Sequence, residues 1–363
     1  MYTTDRGHGH PRTATDAPLV AAAGATRRRR GLLILALLTG VALVCILAVG
    51  IGPVPIAPSV VAEVVLGHLG LADPGSVAAT DDSIVWLIRL PRVILGAVVG
   101  ASLALAGVVI QALVRNPLAD PYLLGISSGA SVGAAASILF GIGGGVLALT
   151  GSAFVGAVGA IALVLSVARI GGRLITSRLV FAGIAVGFAL TALTNFLVFA
   201  SESRDGARAV MFWMLGSLAQ SRWASVPLAV VAVVVAAAIF IAWARRLDAL
   251  AIGDDTALAL GTDPARFRAL AVIVVSLVVA VAVSVSGLIG FVGLVVPHIA
   301  RRLVGGSHRI VLPVSALLGA LLLVSADAIA RIAFAPRELP LGILTALIGT
   351  PLLIALVRRS LAR

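Results

Sequence analysis

The chain reads as an all-α, polytopic membrane protein of about ten transmembrane helices, with N- and C-termini on the cytoplasmic side. Three observations predict this class. Hydrophobic residues fill 60% of the 363 positions and charged residues only 12%, against the roughly one-quarter charged composition of soluble domains. At about 20 residues per crossing plus short turns, the length accommodates roughly ten spans. The basic residues, all 27 of them arginine, gather at the ends of apolar runs and not on one patch. The net charge of +12 therefore points to membrane orientation and away from nucleic acid.

Each element follows from local composition. Residues 1–30 are polar, contain Pro, Gly and His, and end in Arg27 to Arg30; they predict a disordered cytoplasmic tail before a membrane domain over 31–363. Span 1 (31–50) imitates a signal peptide but lacks a small-x-small cleavage site, so a retained helix is expected. Pro53, Pro55 and Pro58 open an outer segment containing Glu63, Asp73, Asp81 and Asp82. Span 2 covers 93–114. The charge-free stretch 121–168 is too long for one helix; glycines at 141–145 divide it into spans 3 and 4, which Arg169, Arg173 and Arg178 close on the inside. Span 5 covers 179–200. The segment 201–222 predicts an outer loop with a short amphipathic helix, and span 6 covers 223–244 with a Trp near each interface.

The inner loop 245–268 precedes an uncharged run, 269–300, that fits either one long tilted helix or two spans. Arginines on both sides of it look cytoplasmic, so parity favours two spans turning near 286–290. Spans 9 and 10 cover 311–330 and 341–357. On this topology the arginines lie inside except Arg89, Arg92, Arg204, Arg208, Arg222, Arg331 and Arg337.

Chemistry is thinly supplied. Without lysine the chain lacks the residue that a Walker A loop places on the β/γ-phosphates, so it holds no ATP site of that kind. Cys45 is alone, and no HExxH, CxxC or Ser-His-Asp arrangement marks a catalytic or metal site. Asp327 is the one acid well inside a predicted span; Arg331 at i+4 pairs with it on one helix face. His298, after Pro297, reads as a packed or capping histidine. Three features are more suggestive. In "RRLDALAIGDDTALALGTDPARFR", Asp254 or Asp255 can cap a short helix ending at Gly261, and Asp263 before Pro264 starts another. Its apolar side, Ala257, Leu258 and Leu260, suits either a peg for a partner's groove or the membrane surface. Outside, Arg89, Arg92, Arg331 and Arg337 suit either carboxylates of a soluble partner or lipid headgroups. Gly183, Gly187, Thr191 and Asn195 form one stripe of span 5, read either as a packing seam or as the wall of a passage. Finally, "RNPLADPYLLGISSGASVG" (115–133) breaks the helical pattern at the inner mouth, with Pro117 and Pro121 stopping continuation.

The motifs "RLPRVILGAVVGASLALAGVVIQALVRNPLADPYLLGISSGASVGA", "ALAIGDDTALALG" and "GLIGFVGLVVPHIARRLVG", with "ELPLGILTALIGTPLLIALVRR" near the C-terminus, resemble the FecCD-type permeases. These are membrane subunits of type II ABC importers for ferric siderophores, haem and cobalamin. The resemblance covers residue 31 onward. It implies a ten-helix permease in the bacterial cytoplasmic membrane, paired with a second permease, identical or paralogous. It implies two cytoplasmic ABC ATPase subunits that carry ATP and Mg, a binding protein outside, and no cofactor on this chain. It implies ATPase coupling at Ala249, Leu250, Gly253, Asp254, Asp255, Ala257, Leu258, Leu260 and Gly261, and binding-protein docking at Arg89, Arg92 and Arg331. The gate and path would involve Asn116, Leu118, Thr176 and Ser177, then Gly183, Gly187, Thr191 and Asn195. Arg115 departs from relatives that carry an acid there. The leading expectation is inward translocation of a ferric siderophore by alternating access, with haem or cobalamin as alternatives. An ATP-independent secondary transporter is the reading from another class.

Overall fold

The computed structural model describes residues 16–71, 77–142, 145–168 and 176–361, and these fold almost wholly as helix. The first helix, α1 (Asp16–Gly50), is followed by the short α2 (Pro58–His68). Then α3 (Ala79–Asp82) passes through a π-helical turn at Ser83–Arg89 into α4 (Leu90–Val114). A 3-10 turn at Pro121–Leu124 leads into α5 (Ile126–Phe140), and α6 (Gly145–Ala168) and α7 (Thr176–Ala200) follow. On one side lies α8 (Arg204–Met214); α9 (Val226–Ala242) then leads to α10 (Ala244–Ile252) and α11 (Asp254–Ala259). The last four are α12 (Pro264–Ser286), α13 (Val292–Val304), α14 (His308–Ile332) and α15 (Leu341–Leu361).

Seven of these described stretches are long and apolar enough to cross a membrane, with α5 and the apolar part of α15 shorter. Each predicted span coincides with a helix, and the expected turn after Ser286 is present, so 269–300 is two helices. α13 has only 13 residues, about 20 Å at 1.5 Å per residue, well short of a bilayer core of about 30 Å. Two boundaries differ from expectation. The helix through span 2 starts at Ala79, because the segment before Arg89 is itself apolar (Ile84 to Ile88). α1 starts at Asp16, so residues 16–30 are helical and not a disordered tail; Ala-rich sequence and Arg27 to Arg30 are compatible with helix. The rest of the tail, 1–15, lies outside the described residues, as do Arg169 and Arg173.

α4 is the axle of the bundle. It packs against α14, α12, α13 and α9, and its residues from Ser102 to Leu113 are buried almost without interruption. Between apolar helices in lipid the hydrophobic effect gives little drive, so close backbone approach carries the packing. Gly100 and Gly319 provide it at the α4–α14 crossing, where a Cβ on either would strike the other's carbonyl oxygen. Gly129 of α5 and Gly156 of α6 oppose each other in the same way, while a Cβ on Gly107 of α4 would strike the Gly293 carbonyl of α13 and one on Gly293 would strike Pro121 and the Leu103 carbonyl. Alanine at any of these positions would force two helices apart.

Candidate functional site: the inner joint and the outer arginine cluster

At the inner end of α4, Arg115 takes a left-handed conformation (φ 55°) and stops the helix. Such a φ is uncommon outside glycine and turns the chain sharply. The Asn116 side-chain oxygen accepts from Leu118 N–H at 2.9 Å, and Asp120 caps the 3-10 turn through Tyr122 N–H at 2.8 Å. The break predicted for 115–133 is therefore a built loop over 115–125, with Asn116 and Leu118 exposed on it and α5 resuming at Ile126.

The loop is tied to the inner helices by one carboxylate. Asp254, first residue of α11, receives two hydrogen bonds from Arg268 of α12, at 3.0 and 2.6 Å. Arg115 approaches the same carboxylate at 3.3 Å. Arg268 is buried, and its Nε also donates to the Leu113 carbonyl at 3.4 Å, inside the last turn of α4. Three elements (α4, α11 and α12) thus meet at Asp254. The hydrogen bonds from Arg268, helped by the charges of Arg268 and Arg115, outweigh burial and hold the Asp254 carboxyl below the usual carboxylate range. This settles the place of Arg115: it pairs with the short inner helix.

Beside this joint lies a cavity of about 990 Å³, lined among others by Arg115, Thr176, Ser177, Asp254, Leu258 and Arg268. Thr176 and Ser177, expected near the gate, accordingly face the joint across open space. The residues assigned to ATPase coupling divide in two. Ala249, Leu250 and Ala257 are buried against the permease, while Leu258 and Leu260 are 58% and 68% exposed, as is Ile252 at 74%. Asp255 and Gly261 are also exposed. Gly253, not Asp254 or Asp255, occupies the N-cap position of α11, and no side chain caps it. The carboxylate of Asp254 is spent on arginines instead. Gly261 (φ +77°) closes the element, with Thr262 N–H on the Ala257 carbonyl at 2.8 Å. Asp263 caps α12 as predicted, accepting from Ala265 and Arg266 N–H.

The span 5 stripe, read either as a packing seam or as the wall of a passage, divides along its length. Gly183 is buried against the 3-10 turn, where a Cβ would strike the Leu123 carbonyl, and Gly187 lies near Gly125 and Ser128. Thr191 shares a 3.1 Å hydrogen bond with Ser128 and donates to the Gly187 carbonyl at 2.8 Å. These three pack within the chain, as the seam reading expected. Asn195 is exposed at the far end of the stripe. The exposed face of α7 is aromatic instead, with Phe181, Phe188 and Phe199 turned away from the bundle.

The three arginines that the resemblance assigns to docking are enclosed. Arg89, Arg92 and Arg331 are only 5%, 5% and 3% exposed. Arg89 donates to the carbonyls of Val49 and Gly50 at 3.0 and 2.9 Å, and to that of Val54. Arg92 is forked between Asp327 and Glu338, with contacts of 2.9 to 3.1 Å. Arg331 pairs with Asp327 at 3.1 Å, as its i+4 spacing predicted, and also donates to the carbonyls of Ala48 and Ile51. Guanidinia so enclosed fasten α1, α4 and α14 to each other.

Sequence reasoning missed Gln111. It is buried in α4, donates to the carbonyls of Ala119, Gly293 and Leu294 at 3.2 to 3.3 Å, and accepts from Arg301. An amide within an apolar run was the available signal. The His308–Asp248 contact, 2.6 Å from ring Nδ1, was likewise unforeseen.

The helical bundle and its inner joint define a multi-pass permease of the cytoplasmic membrane. The chain belongs to the FecCD transport family, whose family model matches residues 34–359. It is 46% identical over 282 residues to the cobalamin import system permease protein BtuC of Halobacterium salinarum, covering 78% of this chain and 75% of that one. The vitamin B12 import system permease protein BtuC of Vibrio cholerae is 40% identical over 296 residues, 81% of this chain and 88% of that one. Among solved structures, one described as a metal-chelate type ABC transporter in an inward-facing conformation superposes with a TM-score of 0.78 at 30% identity. That match covers 91% of this chain and 99% of the other. The chain is thus a permease subunit of the ABC importer class.

Proposed function

We propose that this permease moves a cobalamin-type corrinoid inward, powered by ATP hydrolysed on two partner ATPase subunits. The observation that carries the substrate class is the likeness to cobalamin permeases from two distant organisms over most of the chain. The leading expectation from sequence, a ferric siderophore, gives way to the alternative on this ground. The metal-chelate relative supports an iron chelate as the second reading. In either case the solute crosses in company with a second permease subunit and is delivered by an extracytoplasmic binding protein.

The mechanism follows from the inner joint. Ile252, Leu258 and Leu260 offer an apolar knob to the groove of an ATPase subunit. Closure of the ATPase pair pushes α10 and α11. Asp254 passes that push to α12 through Arg268 and to the end of α4 through Arg115 and the Arg268–Leu113 bond. The loop bearing Asn116 and Leu118 then moves relative to Thr176 and Ser177, changing which side of the passage is open. The test is uptake of radiolabelled cyanocobalamin and of ferric siderophores in cells lacking this chain. Selective loss of cobalamin uptake is the expected result. Intact cobalamin uptake with loss of a siderophore replaces the corrinoid reading by the chelate one.

A further inference from the structure

The inner end of α1 carries a charged surface. Arg30 of α1 donates to the Val304 carbonyl at the C-terminus of α13, at 3.2 Å. This bond draws the start of α1's apolar run against the glycine turn between α13 and α14; Arg30 also borders Gly305. Arg28 and Arg29 lie exposed one and two residues before it, Arg302 is exposed in the last turn of α13, and Arg309 is exposed in the first turn of α14. α1 itself packs along α14, and the Arg30–Val304 bond brings both sets of arginines to one corner of the bundle. No ion pair engages Arg28, Arg29, Arg302 or Arg309 among the described residues. The acid that contacts this turn, Asp248, is taken by His308.

Position supplies the occupant. Gly31 opens the apolar part of α1, so these guanidinia stand at the level where hydrocarbon meets headgroups on the cytoplasmic side. Below them, Leu32, Leu35 and Leu38 are exposed on α1, a surface suited to acyl chains. A surface that is basic at the headgroup level and apolar beneath complements one molecule on both counts. Arg28 to Arg30 also precede the stretch matched by the family model. We propose that the α1–α13–α14 corner binds an anionic phospholipid, its phosphate held by Arg28, Arg29, Arg302 and Arg309 and its acyl chains along α1. The lipid acts as a clip: it fastens a helix that the protein packs only along one side. Charge-assisted, bidentate contacts to phosphate suit arginine in particular.

The test uses the full-length chain purified in detergent, with binding of phosphatidylglycerol followed by native mass spectrometry against phosphatidylcholine and, separately, inorganic phosphate. The native protein should retain phosphatidylglycerol and release phosphatidylcholine. Each arginine neutralised should weaken retention by roughly fivefold, so R28Q/R29Q/R302Q should lose nearly all of it. The R28K/R29K/R302K variant, which keeps the charge and folds by the same contacts, should retain an intermediate amount and guards against loss through misfolding. Equal retention by the Gln variant overturns the proposal. So does an equal loss in R266Q, an exposed inner arginine on α12, which would mean a diffuse basic belt. Binding of inorganic phosphate as tight as that of the lipid would overturn the lipid assignment.

Discussion

The outer and inner ends of the bundle are built from the same two residue types, arginine and aspartate, with opposite results. Outside, Arg92, Arg331 and Asp327 are sealed among α1, α4 and α14, and Arg92 is held on both sides by carboxylates. Inside, Asp254 is half-exposed beside a cavity, and of its two arginines one is buried and one is exposed. Burial decides the difference. A charge pair out of water must keep its geometry or leave an uncompensated ion, which makes a fastener. A pair at the edge of a solvated cavity exchanges partners at little cost, which makes a joint.

The sharpest way to break this comparison is at its rigid end. Replacing Arg92 by Ala leaves Asp327 with one fewer partner in a buried site and should cost about 3–5 kcal/mol, read as a drop in thermal stability and in membrane yield. A melting temperature like the native one would make the outer cluster as dispensable as a surface pair. The packing seam gives the next largest effect. Gly183→Leu should drive α7 off the 3-10 turn and destabilise by about 1–3 kcal/mol. If instead it leaves stability intact and blocks uptake alone, the stripe lines a passage after all. Arg115→Gln removes the exposed arm of the joint and should change stability by less than about 1 kcal/mol, while partly reducing uptake per ATP.

The smallest expectation concerns pH. The Asp254 carboxyl is depressed, so its contribution is full above the ordinary carboxylate pKa of about 3.9 and is lost only as pH falls through the lower folded-state value. Uptake per ATP in the native protein should therefore show no titration from Asp254 between about pH 5 and 8. A step in that window that disappears in Asp254→Asn would contradict the pairing.

The same contrast explains what the sequence disclosed. Helices, turns and the break after Ser286 were legible because apolar length and arginine placement are local signals. So were the Asp263 cap and the Asp327–Arg331 pair, both set by spacing along one helix. Arg92 and Asp327 are 235 positions apart, and only the α4–α14 packing at Gly100 and Gly319 brings them together. That these arginines are paired across the bundle is something no local pattern reveals. Gly183, Gly187 and Thr191 were ambiguous for another reason: small residues at four-residue spacing fit a seam and a passage equally, and only the neighbouring Leu123 carbonyl shows the packing at Gly183. The inner joint was half visible, since Arg115 was conspicuous and Asp254 was singled out, but as a helix cap and without its arginines.

The central claim is that Asp254 transmits ATPase closure to α4 and α12. It is tested most directly by reconstituting the permease with its ATPase subunits and binding protein in proteoliposomes, and measuring solute imported per ATP hydrolysed for the native chain and Asp254→Asn. Assembly and hydrolysis should persist in the variant, while the ratio falls on the order of tenfold. An unchanged ratio would contradict the account.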